Sequence, residues 1–259
     1  ESPWIGTFHS IFAKLLRKHA HHVGLKSNFN ILDSEDQKKL IKQVLEYCKI
    51  DKEVSESIYL NEIQNLKDQK IFPQDKSKIL KYSSLENIDE IYNIYQQRLI
   101  EINAVDFGDI LLHSYFILTN NKDIQETHSN FIQHILIDEF QDTSKLQWNN
   151  LIPLASHSLL NFEENQSPGQ LFLVGDPKQS VYRWRGANPE IFTSILKSDQ
   201  MFNLAVEHKE LEKNFRSSKN IIDFNNAFFE HILDSFGSTI LKSNFTSFKQ
   251  KFKNNFSGK

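Results

Sequence analysis

The sequence predicts an α/β protein in which a parallel sheet follows a mostly helical segment. Two short apolar runs, Ile135-Leu136-Ile137 and Leu171-Phe172-Leu173-Val174, end abruptly in acids or in Gly175-Asp176. Such runs read as strands buried on both faces of a parallel sheet. Ahead of them, apolar residues recur at three- and four-residue spacing over much of residues 8–116, the period of amphipathic helices.

Taken in order, residues 8–22 form a helix through Phe8, Ile11, Phe12, Leu15 and Leu16, stopped at Gly24. Ser34 and Gln37 make a capping-box pattern that opens a second helix, with Leu40, Ile41, Val44, Leu45 and Cys48 on one face. Residues 55–82 are polar and read as shorter helices with loops. Residues 85–103 form a long helix through Ile88, Ile91, Tyr92, Tyr95, Leu99 and Ile102, and Asp106 caps another through Ile110, Leu111, Tyr115 and Phe116. A helix at about 144–156 joins the two strands, and 157–169 reads as a surface loop. A third strand is expected near Lys209–Lys213, followed by a helix at about 218–234. No internal repeat is visible.

The 259 residues carry a net charge of −3, with 39% hydrophobic and 24% charged residues, an ordinary globular balance. No apolar run is long enough for a membrane helix, and Glu1-Ser2-Pro3-Trp4 does not open a secretory signal. Cys48 has no partner for an internal disulfide, which fits a reducing cytoplasm. Mild acidity does not exclude DNA, because single strands are gripped by stacking rings and a local basic groove.

Two stretches carry chemistry. The first is Asp138-Glu139-Phe140-Gln141-Asp142-Thr143, acids at the carboxyl end of a strand, where open α/β sheets bind ligands. One acid there can hold Mg²⁺ through water, and the next can orient or deprotonate an attacking water. A solvated acidic turn accounts for these acids equally well. The second reads VGDPKQSVYRWRGA at 174–187. Gln179 can report on a phosphate, while Tyr182 and Trp184, interleaved with Arg183 and Arg185, suit stacked bases and held phosphates. The alternative is that both rings are core residues on one face of a strand.

DEFQDT, VGDPKQSVYRWRGA and Asn214-Phe215-Arg216-Ser217-Ser218 together resemble motifs II, III and IV of superfamily 1 helicases of the UvrD/Rep/PcrA type. Thr7-Phe8-His9-Ser10 resembles the family's TFHS element, and Asp106-Phe107-Gly108-Asp109-Ile110-Leu111 its DFxDLL element. The elements occur in the family's order and cover the chain to about residue 235.

The resemblance implies an ATP- and Mg²⁺-dependent motor on single-stranded DNA and duplex junctions, moving 3′ to 5′, in repair, replication or recombination. Asp138 matches the Mg²⁺-associated aspartate, Glu139 the base that activates water, Gln179 the γ-phosphate sensor, and Arg216 an arginine finger. Thr7, His9, Tyr182, Trp184 and Arg185 match positions at the single strand. Gln141 and Asp142 would couple the nucleotide site to neighbouring motifs. The implied fold is a RecA-like core: 1–25 and 105–205 in the first domain, 26–104 a helical insertion, and 206–259 the start of the second.

The family's phosphate-binding loop, GxxxxGK(S/T), does not occur, nor do motifs V and VI. The chain is therefore expected to be a piece of a longer protein, inactive alone. The motif III wording is also close to the RecB and AddA helicase–nucleases. A non-catalytic DNA-binding remnant is the competing reading; intact Asp138, Glu139, Gln179 and Arg216 favour the motor. His19, His21 and His22 lack a carboxylate or Cys partner and read as surface histidines. Phe245, Phe248, Phe252 and Phe256, with Lys242, Lys249, Lys251 and Lys253, read as an ordinary half-buried helix.

Overall fold

The computed structural model describes residues 3–50, 55–160, 169–183, 186–198, 200–236 and 249–252. Helix α1 spans Phe8–His19, capped by the Thr7 hydroxyl, which accepts the Ser10 N–H. A short 3₁₀ turn follows, and Gly24 ends it in the left-handed region (φ 75°). Strand β1 (Asn30–Ile31) leads into four helices: α2 (Ser34–Tyr47), α3 (Glu56–Asp68), α4 (Lys76–Tyr82) and α5 (Ile88–Glu101). The cap of α2 is Asp33 rather than Ser34. Asp33 Oδ1 accepts the N–H groups of both Glu35 and Asp36, its negative charge suiting the helix N-terminus, while Gln37 Nε2 turns back to Leu32 O.

Strand β2 (Ala104–Val105) pairs in parallel with β1, Asn30 beside Ala104 and Ile31 beside Val105. The helices between them thus leave and rejoin the rest of the protein at adjacent points. They bury a cluster of their own, with Ile41, Tyr59, Ile63, Ile91, Tyr92 and Tyr95 at its centre. Helices α6 (Phe107–Asn120) and α7 (Lys122–Phe131) come next. The sequence reading missed α7.

Strands β3 (His134–Ile137) and β4 (Gln170–Leu173) pair in parallel over four positions, Ile137 beside Leu173, joined by α8 (Lys145–Leu160). Residues 157–160 are therefore helix rather than loop, and 161–168 lie outside the described residues. A Ser144–Gln147 capping box starts α8: Ser144 N–H donates to Gln147 Oε1 and Gln147 N–H to Ser144 Oγ. The strands are not buried on both faces as expected. Alternation turns Ile135, Ile137 and Leu173 onto the helices, and among the described residues nothing covers the other face, leaving Leu136 73% and Phe172 60% exposed. The larger core joins α1, α6 and α8 through Phe12, Leu15, Leu16, Leu112, Ile117 and Leu154.

Beyond β4 come α9 (Pro189–Leu196), an antiparallel pair of β5 (Gln200–Met201) and β6 (Leu204–Ala205), and β7 (Lys213–Asn214). The third strand is shorter and later than the sequence suggests. Helix α10 (Lys219–Phe236) follows. Strand β8 (Lys251–Phe252) runs parallel to β7, so the described part of the phenylalanine-rich tail is extended, not helical. Phe245, Phe248 and Phe256 lie outside the described residues. The protein is a mixed α/β structure, mostly helical, with small parallel sheets. No described helix is long and apolar enough to cross a membrane.

Candidate nucleotide and nucleic-acid site

Strand β3 delivers Asp138 and Glu139 to its carboxyl end, both exposed. Asp138 Oδ1 accepts the Glu139 N–H (3.0 Å), and Glu139 sits in the left-handed region at φ 53°, ψ 39°. A left-handed non-glycine residue costs on the order of 1–3 kcal/mol and persists where its surroundings over-determine it. Here the anchor is Phe140, fully buried edge-on against Trp148 (5.2 Å) and Phe192 (5.3 Å). Its N–H donates to Val174 O (2.9 Å), and Val174 N–H to Ile137 O (2.8 Å), so the strand pairing continues past both strand ends.

Gln141 ties the two motif stretches together. Its buried amide donates from Nε2 to Glu139 Oε2 (2.5 Å) and accepts the Asp176 N–H at Oε1 (3.0 Å). Ser180 Oγ donates to Gln141 O (3.3 Å). Gly175 is a glycine for room: a Cβ there would stand 2.4 Å from Gln141 Oε1 and 3.1 Å from Phe140 N. Burial, with the Glu139 charge second, raises the Asp142 carboxyl above its usual range, against the Ser180 hydroxyl and Val181 N–H.

Asp176 caps the turn Pro177–Gln179 through the Lys178 N–H and pairs with Lys178 Nζ (2.9 Å). Burial opposes its ionisation, but Lys178 and Gln179 outweigh burial and hold the carboxyl below its usual value. Gln179 is exposed, its Nε2 turned back onto Asp176 Oδ2 (3.1 Å). Asp138, Glu139 and Gln179 thus share one edge of the β3–β4 pair, linked through Gln141 and Asp176.

The loop beyond closes on itself. Gly186 N–H donates to Arg183 O, Ala187 N–H to Tyr182 O, and Asn188 N–H to Thr143 O. Ala187 also bridges to Ser144. Tyr182 is 42% exposed, which removes it from the core. Trp184 and Arg185 lie outside the described residues.

Thr7 is exposed and caps α1, while His9 packs edge-on to Phe107 (5.7 Å), which brings the TFHS and DFGDIL elements together. Burial lowers the His9 pKa, keeping the ring neutral at pH 7. Arg216 is exposed, and its backbone N–H donates to Asn214 Oδ1 (2.9 Å). Asn214 and Glu212 of its segment bond to Gln250 and Lys251, and among the described residues no ion pair joins Arg216 to Asp138 or Glu139. Among the described residues no group of three or more His, Cys, Asp or Glu could hold a metal ion. His19 pairs instead with His128, Nε2 to Nε2 at 2.8 Å.

Sequence reasoning missed Lys67. It is fully buried, with Nζ 2.6 Å from Asp106 Oδ2 and 2.7 Å from Asp109 Oδ1, two residues that also form the capping box of α6. Tyr95 donates to Asp106 and Gln96 to Asp109. Burial alone would lower the Lys67 pKa; the two carboxylates outweigh it and raise it. A lysine four residues after Ile63, on the apolar face of α3, was the available sign.

Residues 1–200 match the UvrD/REP helicase N-terminal domain family. A probable DNA helicase II homolog of Mycoplasma capricolum is 34% identical over all of this chain and 33% of its own length. DNA helicase II of Haemophilus influenzae is 36% identical over 92% of this chain and 30% of its own. ATP-dependent DNA helicase PcrA of Staphylococcus epidermidis is 33% identical over 88% of this chain and 30% of its own. The chain spans about a third of the length of these relatives. With 200 of its 259 residues matched, it belongs to the UvrD/REP helicase family, in that family's N-terminal domain.

Proposed function

We propose that this chain is part of an ATP-driven motor that moves 3′ to 5′ along single-stranded DNA and opens duplex junctions. The observation that carries the reading is the Gln141 bridge: one buried amide joins the Glu139 carboxylate to the backbone of the loop that leads to Gln179 and Tyr182. An enzyme that couples hydrolysis to a moving strand needs such a link between its acid pair and its DNA loop.

In this reading residues 1–25 and 105–205 form one RecA-like domain, 26–104 its helical insertion, and 206–259 the start of a second domain. The separate cluster of α2–α5 and the β1–β2 closure support that division. ATP is the substrate. Glu139 takes the proton of the attacking water, and its exposed carboxylate is aimed by Gln141. Asp138 suits Mg²⁺ held through water, since it is exposed and only its Oδ1 is engaged, by a backbone N–H. Bound there, the ion would offset charge on the transferring phosphate.

Gln179 reaches a γ-phosphate only by leaving Asp176 Oδ2, and that exchange would signal the nucleotide state to the Tyr182–Trp184 loop. Arg216 supplies a finger from the second domain on closure. Trp184 stacks on bases, with Tyr182, Arg185, Thr7 and His9 along the strand. The test is strand displacement by the longer protein that carries this chain, on duplexes with a 3′ or a 5′ single-stranded tail. ATP-dependent displacement of the 3′-tailed duplex supports the reading. DNA binding with no ATP-dependent displacement of either would make the chain a DNA-binding remnant.

A further inference from the structure

Helix α1 has two faces. Phe8, Phe12, Leu15 and Leu16 pack into the larger core. On the other side Thr7, Ser10, Lys14, Arg17 and His21 follow one another at three- and four-residue steps, all exposed. The row runs about 20 Å, from the cap of α1 into the 3₁₀ turn beyond it. Lys18 lies beside it and Lys26 past its end, both exposed.

The row is basic without compensation. From Ser2 to Leu32 the chain holds Lys14, Arg17, Lys18 and Lys26 and no acid, although it has 33 Asp and Glu in all. Among the described residues none of these four pairs with a carboxylate. An ordinary solvated face of this protein looks different: on α2, Lys38 pairs with Glu35 (3.1 Å) and Lys39 with Asp36 (3.0 Å). Cations in the last turn of a helix suit its dipole, but Lys14 precedes that turn and Lys26 follows the helix. Lys14 instead stands one turn from both Arg17 and Lys18, where like charges repel.

Arg17 is held in place. Its Nη1 donates to Ser27 O and Phe29 O, both at 3.0 Å, and the guanidinium lies 4.3 Å over the Phe29 ring. Two carbonyls fix the group without neutralising it, and among the described residues its Nη2 and Nε make no hydrogen bond. A fixed guanidinium with free donors suits a phosphate. The row carries no Phe, Tyr or Trp, so it can hold a backbone but cannot stack bases.

We propose that this row is a phosphate track for DNA: a single strand leaving the site at Thr7 runs on along α1, its backbone held by Lys14, Arg17 and Lys18. The proposal rests on the DNA reading above, which puts Thr7 on the strand. A single strand is the occupant because the cations form one file that begins at that residue. The track adds affinity that depends on strand length and salt and not on base identity.

The test is fluorescence anisotropy of the longer protein that carries this chain, with labelled dT8, labelled dT40 and a labelled blunt duplex, at several salt concentrations. The variant is Lys14→Gln, Lys18→Gln; both side chains are exposed, so the fold is retained. It should weaken dT40 binding roughly tenfold and flatten the salt slope by about 0.7 for each lysine, while dT8, too short to reach past Thr7, binds as before. Lys38→Gln, Lys39→Gln removes the same charge from α2 and should leave dT40 binding unchanged. Unchanged dT40 binding in the Lys14, Lys18 variant overturns the track alone. So does an equal loss on dT8, or an equal loss in the α2 variant, because the cations would then act as a general field. A loss confined to the blunt duplex overturns the single strand as the occupant. No binding of either oligonucleotide by the unaltered protein overturns the track and the DNA reading together.

Discussion

Gln141 Nε2 stands 2.5 Å from Glu139 Oε2 and donates to it, from a side chain that is almost completely buried. The same amide accepts the Asp176 N–H. Gln141→Ala leaves that N–H without its acceptor and should destabilise the chain by about 1–3 kcal/mol. The loss should appear as a lower midpoint in urea. An unchanged midpoint would mean that water replaces the amide at both ends.

Gly175 should tolerate no side chain. In Gly175→Ala the new methyl meets Gln141 Oε1 at 2.4 Å, Phe192 Cε1 at 3.0 Å and the Phe140 backbone at 3.1 Å. Backbone and a buried ring cannot both yield, so a loss of roughly 1–3 kcal/mol is expected. Adding Gln141→Ala, which removes the nearest atom, should recover part of it; a double-mutant cycle measures the coupling.

The buried Lys67 should matter more than any surface ion pair. Lys67→Met strands Asp106 and Asp109 without their cation and should cost about 3–5 kcal/mol by denaturant unfolding. Lys38 paired with Glu35 is an exposed control, and Lys38→Met should change stability by under about 1 kcal/mol.

Asp68 predicts a pH dependence. Its carboxyl titrates at about 6 in the folded chain and near 4 when unfolded. Between those values the folded state holds a proton that the unfolded state has lost, so stability falls as pH rises from about 4 to 6. The ionised carboxylate weakens the fold above pH 6. Asp68→Asn should therefore raise stability at pH 7.5 by on the order of 1–2 kcal/mol and flatten the profile between pH 4 and 6. Thermal unfolding from pH 4 to pH 8 measures both effects.

Much of this was legible from residue order alone. The periods of α1, α2, α5 and α6 place their helices because each buries one stripe, and the runs at 135–137 and 171–174 give the parallel pair. The uncovered faces of Leu136 and Phe172 were not legible, since an apolar run does not say what lies on its second side. Helix α7 escaped because only Ile124 and Phe131 of its ten residues are apolar, too few to show a period. In the candidate site, the spacing of Asp138, Glu139 and Gln179 marked one edge of the sheet. The bridging geometry of Gln141 needed coordinates, because it depends on Gly175 letting two loops approach. Lys67 escaped because its partners, Asp106 and Asp109, lie far along the chain, where no local pattern records them.

The central claim is that Glu139 is the base of an ATP site coupled to DNA. Its most direct test is steady-state ATP hydrolysis by the longer protein that carries this chain, with and without single-stranded DNA, beside Glu139→Gln. Hydrolysis by the unaltered protein should rise with DNA, and Glu139→Gln should lower kcat by about 100-fold or more while ATP still binds. A Glu139→Gln protein that hydrolyses ATP at the unaltered rate, or an unaltered protein that binds DNA and hydrolyses none, would contradict the account.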